Sequence, residues 1–487
     1  APAFISENKA PLTYGALAEL IRDFRQTINE SGFGRGDRFA IVHPGGADMA
    51  AALFGIVGCA TAVPLNPRNT AKEFQDQLHD RRVQAVIIQK NLQSPVRDVA
   101  KQLDLPVFDL VTDDEGLTGM VRLLAPLHQK PVRPEPSGAD DIAYVLATSG
   151  TTSSGRIVPL RHRHLMARSQ VSADLFGLTP DDRCINLNPL NYAQSRVAMV
   201  LASGGSIIFM PHFNVETFFN YLTELKPTWF QGSFTFHQAI RDHAQHHAKE
   251  IQESKIRFIR TSSGRLEPHI TKDLERIFDV PVIEAYASSE TGRIAGNPQP
   301  PGIRKPGTVG LPTGCEVLIL NENGTPSETL ERGEVTVRGH GVIDGYENNP
   351  EANAAAFIAG WYRTGDQGFL DEDGYLTLTG RLKEMINRGG EKINPVEVDS
   401  ALTAHPDIAE AAAFAIPHPR LGEIVGAAIV PLPSRIPDKQ ELMRFLADRL
   451  NAYKIPRSYH VVEEIPRGPT GKILRTRLTD KFNKRGK

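Results

Sequence analysis

The chain has 487 residues, of which 40% are hydrophobic and 23% charged, with a formal net charge of −2. That length exceeds one core and predicts two or more domains, and the near-neutral charge excludes a basic nucleic-acid footprint. No apolar stretch reaches the roughly 18 residues of a membrane span, and the opening A-P-A-F-I-S-E-N-K-A has no signal-peptide core, so the expectation is a cytoplasmic enzyme with no membrane span and no nucleic-acid partner. Cys59, Cys184 and Cys315 are too far apart for a disulfide framework or a metal cluster and read as buried small hydrophobes in a reducing compartment.

In chain order, Thr13 can cap a helix over 14–29, with Leu17, Leu20, Ile21, Phe24 and Ile28 on one face. A strand at 38–42, a helix at 49–59, an extended piece at 62–65 and a strand at 83–88 follow. This alternation predicts a doubly wound parallel sheet. The stretch 129–139 holds three prolines and reads as a connector. Next comes the apolar strand 141–146, then A-T-S-G-T-T-S-S-G-R-I-V (147–158) and a helix from about 163 to 176. A Ser/Thr/Gly run directly after a buried strand offers the hydroxyls and close backbone N–H groups that a phosphate needs, and Arg156 adds a fixed charge. No G-K-[ST] closes the run, so it is not a Walker loop. A flexible linker is the plainer reading.

Strands near 184–188, 206–210, 228–230, 257–260 and 282–284, with helices between them, predict a second sheet. After Gly307 short strands (317–320, 334–338, 375–378) punctuated by Gly, Asn and Asp, including the Asp373-Gly374 turn, predict a small β-subdomain. Beyond Lys383, strands near 410–416 and 426–430 and a helix at 438–451 predict a compact α+β unit. The fold class is therefore α/β, with a large N-terminal domain (1–382) of two doubly wound sheets plus the β-subdomain, and a small C-terminal domain (383–487).

These features together resemble the adenylate-forming superfamily of acyl-CoA synthetases, adenylation domains and luciferases, from Leu12-Thr13-Tyr14 to Gly471-Lys472. The 147–158 run is similar to the family's T-S-G-T-T-x-x-x-K-x-V. Tyr286-Ala287-Ser288-Ser289-Glu290 resembles Y-G-x-T-E, Tyr362-Arg363-Thr364-Gly365-Asp366 resembles Y-x-T-G-D, and Gly380-Arg381-Leu382-Lys383-Glu384 resembles the hinge motif G-R-x-[KD]-[ED]. Pro466 to Lys472 resembles the segment that ends in the family's catalytic lysine. The resemblance implies two half-reactions. A carboxylate attacks the α-phosphate of Mg-ATP, giving acyl-AMP and pyrophosphate, and a thiol, usually that of CoA, then displaces AMP.

Joining two anions needs cations and hydrogen-bond donors aimed at the developing charge. By resemblance, Lys472 bridges the carboxylate and the α-phosphate, and Glu290 is the Mg²⁺ carboxylate and the second catalytic residue. Thr148, Ser149, Gly150, Thr151, Thr152, Ser153 and Arg156 hold the phosphates. Asp366 and Arg381 contact the ribose. Ser263, Gly264 and Arg265 line the adenine, Tyr286 stacks on it, and Glu284, Ala285, Ala287, Ser288 and Ser289 complete the ATP/AMP site. Lys383 is the hinge about which a mobile C-terminal lid rotates between the half-reactions, and Gly389 and Gly390 admit the pantetheine arm. Each has a plainer reading: a surface lysine, a helix-start Glu, a capping Asp, a core tyrosine, a hairpin turn.

Three positions depart from the family pattern. Arg156 replaces the loop lysine, with Gly155 and Ile157 beside it for Pro and Gly; Tyr192 stands for the histidine of P-x-F-H; and Ala287 replaces Gly. Arg keeps the charge with a different geometry. The best detailed resemblance is to the branch that includes oxalate–CoA ligases. The missing histidine removes a polar group wanted near a dianion and ranks oxalate low, while Gly232 and Ser233, taken with Tyr192 as the acyl pocket, point to a bulkier acid. Two alternatives stand beside acyl-CoA ligation: a stand-alone adenylation enzyme loading a carrier-protein thiol, and a nucleotide-binding module without catalysis. No carrier domain is expected after Lys487. A homodimer and an acyl carrier protein stay open as partners.

Overall fold

The structure is a computed structural model and describes every residue except 113–115, 127–128, 131–132, 148–155, 188–189, 191–193, 211, 262–265, 267, 433–434, 469–471 and 484–487. The chain divides into two compact units. The first holds Ala1–Pro306, Gly310–Glu316 and Val337–Tyr362, and the second holds Gly307–Val309, Val317–Thr336 and Arg363–Lys487. Among the described residues no helix is long and apolar enough to cross a membrane.

The first unit contains both expected sheets. One has seven strands in the order Val121–Leu124, Val107–Thr112, Ala85–Gln89, Arg38–Val42, Thr61–Leu65, Ile142–Ala147, Ile157–Arg161. Its five inner strands are parallel and the strand at each edge is antiparallel. Thr61–Leu65 is buried at every position, as a parallel strand covered on both faces must be. Phe74, Leu78, Val96 and Val99 fill one face. Leu17, Leu20, Phe24 and Ile28, from the helix that Thr13 caps, fill the other.

The second sheet has nine strands in the order Leu311–Pro312, Gly292–Gly296, Val282–Ser288, Phe258–Thr261, Trp229–Gly232, Arg183–Asn186, Ser206–Phe209, Pro2–Ile5, Leu12–Thr13. The run from Val282–Ser288 to Pro2–Ile5 is parallel, and the outer strands turn antiparallel. One apolar cluster joins Phe39 and Ile41 of the first sheet to Ile207, Phe258 and Ile283 of the second, through the helices between them.

Two local features differ from the sequence reading. The Ser/Thr/Gly run does not lead straight to a helix. The strand Ile157–Arg161 comes first and pairs antiparallel with Ile142–Ala147, Ala147 opposite Ile157, before the helix His162–Leu175. Pro159 sits in that strand because the strand is an edge, where a missing N–H costs no ladder bond. Likewise, 282–284 is only the start of Val282–Ser288, whose second half pairs with Gly292–Gly296 as a hairpin. Cys59 and Cys184 are buried as expected, whereas Cys315 is half-buried.

The expected small strands at 317–320, 334–338 and 375–378 are observed as Glu316–Leu320, Gly333–Arg338 and Leu376–Arg381, and a strand not read from the sequence, Trp361–Leu370, pairs with the last of them; most of these residues fall in the second unit. The Asp373-Gly374 turn closes as read, with Gly374 at φ +80°. A second sheet runs Glu391–Ile393, Ile386–Arg388, Gly422–Pro431, Ile408–His418, with Ser458–Val461 added parallel to Gly422–Pro431. Arg475 ties the last helix to this body: it meets the Asp399 carboxylate at 2.5 Å and donates to the Ala413 carbonyl at 2.6 Å. Asp438 caps the helix Lys439–Ala447, shorter than the 438–451 span read from the sequence.

Candidate active site

In the first unit the chemistry gathers at the hairpin after Val282–Ser288. Ser288 sets the turn: its hydroxyl accepts from the N–H groups of Glu290 and Thr291, both at 3.2 Å. Gly292 completes it at φ +69°, where an added Cβ would lie 2.5 Å from Arg168 Cγ. Arg168, 5% exposed, donates to the carbonyls of Ser289 (3.1 Å), Glu290 (2.9 Å) and Gly341 (2.8 Å). Burial pulls its guanidinium down to about 10, against the pull of the Glu290 charge. The turn is thus held from behind by a buried cation, and Glu290 projects from a hairpin rather than from a helix start.

The Glu290 side chain has its own network. Tyr346 donates its hydroxyl to Glu290 Oε1 at 3.0 Å, and the Tyr346 and Tyr362 hydroxyls lie 3.0 Å apart. Arg156 donates to the Tyr346 oxygen at 3.3 Å, with its guanidinium carbon 5.0 Å from the ring centroid. Burial and then the Glu290 charge push both phenols up, so at neutral pH they are protonated donors. The stacking also gives a physical reason for arginine at 156, since a planar guanidinium can lie over a phenol ring and bond its oxygen as an ammonium cannot. Sequence reasoning passed over Tyr346 and Arg168. An isolated Tyr in G-V-I-D-G-Y-E and an Arg within a helix carry no local signal.

Tyr286 and Ala287 lie on the same strand, with Glu284 opposite Thr261 on the neighbouring one. Gly232 ends a buried strand, and an added Cβ there would sit 3.0 Å from Phe236 Cβ and 3.4 Å from Leu187. Its small size therefore seats Phe236. Ser233 precedes the helix Phe234–His243. Thr148, Ser149, Gly150, Thr151, Thr152 and Ser153, Ser263, Gly264 and Arg265, and Tyr192 lie outside the described residues.

The second unit brings Asp366 and Arg381 together. They face each other across the hairpin, and Arg381 Nε donates to Asp366 Oδ1 at 2.8 Å. Thr364 braces the rung, its hydroxyl accepting from Asp366 N–H at 3.1 Å and donating to the Val335 carbonyl at 2.7 Å. Glu334 takes Arg363 at 2.6 Å and the Gly365 N–H at 3.1 Å. Lys383 is exposed in the single turn Leu382–Glu384. Gly389 and Gly390, at φ +63° and +98°, form the two-residue turn between Ile386–Arg388 and Glu391–Ile393. Lys472 is exposed, and its carbonyl accepts from Gly468 N–H at 2.8 Å, next to an antiparallel bridge between Arg467 and Ile473. His405, Asp407 and Glu441 also cluster in this unit. Arg435 bonds both carboxylates, at 3.5 and 2.8 Å, so this is an ion-pair group.

A family model for AMP-binding enzymes matches residues 1–347, and one for the AMP-binding enzyme C-terminal domain matches 397–472. The chain belongs to the AMP-binding enzyme family. It is 36% identical over 493 residues to an oxalate–CoA ligase of Arabidopsis thaliana, covering 97% of this chain and 94% of that one. It is 30% identical to a sulfoacetate–CoA ligase of Cupriavidus necator, covering 96% and 92%. Its fold matches the o-succinylbenzoate CoA synthetase of Bacillus subtilis, solved with an acyl-adenylate, at a TM-score of 0.84 and 25% identity, covering 98% and 95%. This AMP-binding enzyme is an ATP-dependent acid–thiol ligase that works through an acyl-adenylate.

Proposed function

We propose that this enzyme transfers a small carboxylic acid to CoA, with ATP cleaved to AMP and pyrophosphate. The observation that carries the reading is the Glu290 network: a carboxylate at a strand end, held by the Tyr346 phenol and flanked by Arg156. Both curated relatives described above are CoA ligases, which supports CoA over a carrier protein as acceptor. Glu290 would hold Mg²⁺; one hard carboxylate oxygen suits an ion that keeps water and phosphate oxygens as its other ligands. The ion, when bound, neutralises phosphate charge.

Lys472 then binds the substrate carboxylate and the α-phosphate, lowering the repulsion between them. Asp366 accepts from the ribose hydroxyls, oriented by Arg381. Tyr286 stacks on adenine, with Glu284, Ala285, Ala287, Ser288, Ser289 and the segment Ser263, Gly264, Arg265 around it. Arg156 and the run Thr148 to Ser153 bind phosphate oxygens. Residues 1–382 bind ATP and acid, and 383–487 act as a lid turning about Lys383, with Gly389 and Gly390 beside the pantetheine arm. Tyr192, Gly232 and Ser233 line the acid. Carboxylate-dependent ATP–pyrophosphate exchange over an acid panel tests the reading, followed by thioester assays with free CoA and with a holo-carrier protein. Exchange that vanishes in Lys472→Ala supports it. Exchange retained in that variant removes Lys472 from the mechanism, and transfer to the carrier alone replaces CoA as acceptor.

A further inference from the structure

Three arginines on the nine-stranded sheet and the helix Gln194–Ala202 are left unused by the roles above. Arg260 is in the buried strand Phe258–Thr261, Arg293 in Gly292–Gly296, and Arg196 in the helix Gln194–Ala202. Arg260 is 5% and Arg293 7% exposed. Among the described residues, Arg260 Nε and Nη1, Arg293 Nη1 and Arg196 Nη1 have no hydrogen-bond partner. The guanidinium carbons of Arg260 and Arg293 lie 4.8 and 4.6 Å from the Phe176 centroid, so one ring holds both cations. Burial pulls Arg293 down to about 9, with Arg196 adding to the effect, and pulls Arg196 to about 10. Both therefore stay charged at neutral pH. A buried charge without a partner costs several kcal/mol, and a fold keeps it where something else supplies the counter-charge.

The position says what that is. Arg260 pairs with Gln231, the neighbour of Gly232, and is at the carboxyl end of a parallel strand, where ligands of α/β sheets bind. Arg293 pairs with Ala287 across the hairpin that carries Glu290. Arg196 comes four residues after Tyr192 in the sequence, in the first turn of the helix Gln194–Ala202. We propose that Arg196, Arg260 and Arg293 form the subsite for a second anionic group on the acid, so that the substrate is a short acid with a distal carboxylate or sulfonate. This rests on the acid-activation reading above. Guanidinium forks bind such groups through two parallel bonds. The subsite also restores the polar partner for a dianion that the loss of histidine at 192 had removed.

The test is ATP–pyrophosphate exchange with chain-matched acids: malonate against propionate, succinate against butyrate, and sulfoacetate. The dianions are expected to exceed their matched monoanions by at least about 100-fold in kcat/KM. Arg293→Met should narrow that ratio to below about 10-fold, mainly through the KM for the acid, while Arg293→Lys recovers part of it. A preference for monoanions in the wild type overturns the proposal. So does an Arg293→Met variant that loses both classes equally, or whose loss falls on the KM for ATP, since the cluster then serves the phosphates or the fold. If Arg293→Met does not fold, thermal shift of the wild type with malonate or propionate decides, and stabilisation by propionate alone overturns it. Exchange confined to monoanions sinks only this inference; no exchange with any acid sinks the acid-activation reading as well.

Discussion

Arg168 and Arg260 are both 5% exposed, yet the protein treats them in opposite ways. Arg168 spends its donors on three carbonyls of the Glu290 turn and the adjoining loop. Arg260 leaves Nε and Nη1 without a partner among the described residues and rests on the face of Phe176. The first arrangement is internally complete and supports the backbone. The second is complete only with an anion from outside. Burial alone does not separate structural from ligand-binding arginines; the count of unsatisfied N–H groups does.

The largest effect that sharpens this contrast is kinetic. Glu290→Gln keeps the side chain's shape and its bond from Tyr346 but removes the charge, and should lower the rate of pyrophosphate exchange by roughly 10²–10³ with little loss of stability. Arg168→Met, a few ångströms away, should do the reverse in kind. It strips charged donors from three carbonyls, each bond worth about 1.5–3 kcal/mol and not fully additive, so urea unfolding should show a loss of about 4 kcal/mol. An Arg168→Met protein of wild-type stability would break the assignment of Arg168 as the brace of the turn.

Acid sharpens the same comparison, because each region has a buried neutral histidine. His164 lies near Arg168, and His237 donates from Nδ1 to the Ser233 carbonyl at 2.9 Å, in the helix that follows Gly232. Burial pulls both down to about 4 from an ordinary value near 6.5. The unfolded state therefore takes up these protons first as pH falls. The stability each contributes is present above pH 6.5 and is lost between 6.5 and about 4, up to about 3 kcal/mol per histidine. Chemical denaturation at pH 7 and 4.5 measures it. His237→Gln should flatten its share of that slope, and an unchanged slope would exclude His237 as its source.

Much of the fold was legible because its signals are local. Buried parallel strands announce themselves as short apolar runs, Thr13 caps its helix as read, and the Asp373-Gly374 turn closes as its residues demand. Glu290, Asp366 and Arg381 were legible because they sit in short ordered motifs. Their partners were not. Tyr346 is 56 residues from Glu290, and Arg168 is 122 residues from it, so only the folded chain brings them together. The strand Ile157–Arg161 escaped because Pro159 reads as a strand breaker, and its edge position was not visible locally. Gly232 looked like room for a large acid until Phe236 was found packed against it. Arg196 and Arg293 left a faint signal, a charge inside an otherwise apolar or small-residue element, that becomes meaningful only when three such residues converge.

Gly292→Ala comes next in size. The new methyl would meet Arg168 Cγ at 2.5 Å in a left-handed conformation, so the cost should be about 2 kcal/mol, with Glu290 displaced and exchange slowed. Gly390→Ala is the control: its φ is +98°, but nothing lies within 4 Å of the added Cβ, so it should lose only about 1 kcal/mol.

The smallest stability effect is the one that decides the comparison. Arg260→Met exchanges an unsatisfied buried cation for an apolar chain of similar length that can still pack on Phe176. Among the described residues the deleted Nε and Nη1 had no partner to lose, and the change also relieves repulsion from Arg293 and Arg196. The ligand-free variant should thus be as stable as the wild type, or more stable by up to about 1 kcal/mol. The same substitution should abolish the extra thermal stabilisation that malonate gives over propionate, because that difference arises where the second carboxylate meets the guanidinium. A ligand-free loss near that of Arg168→Met would mean that Arg260 is as structural as its counterpart, and that burial after all describes the two arginines equally well.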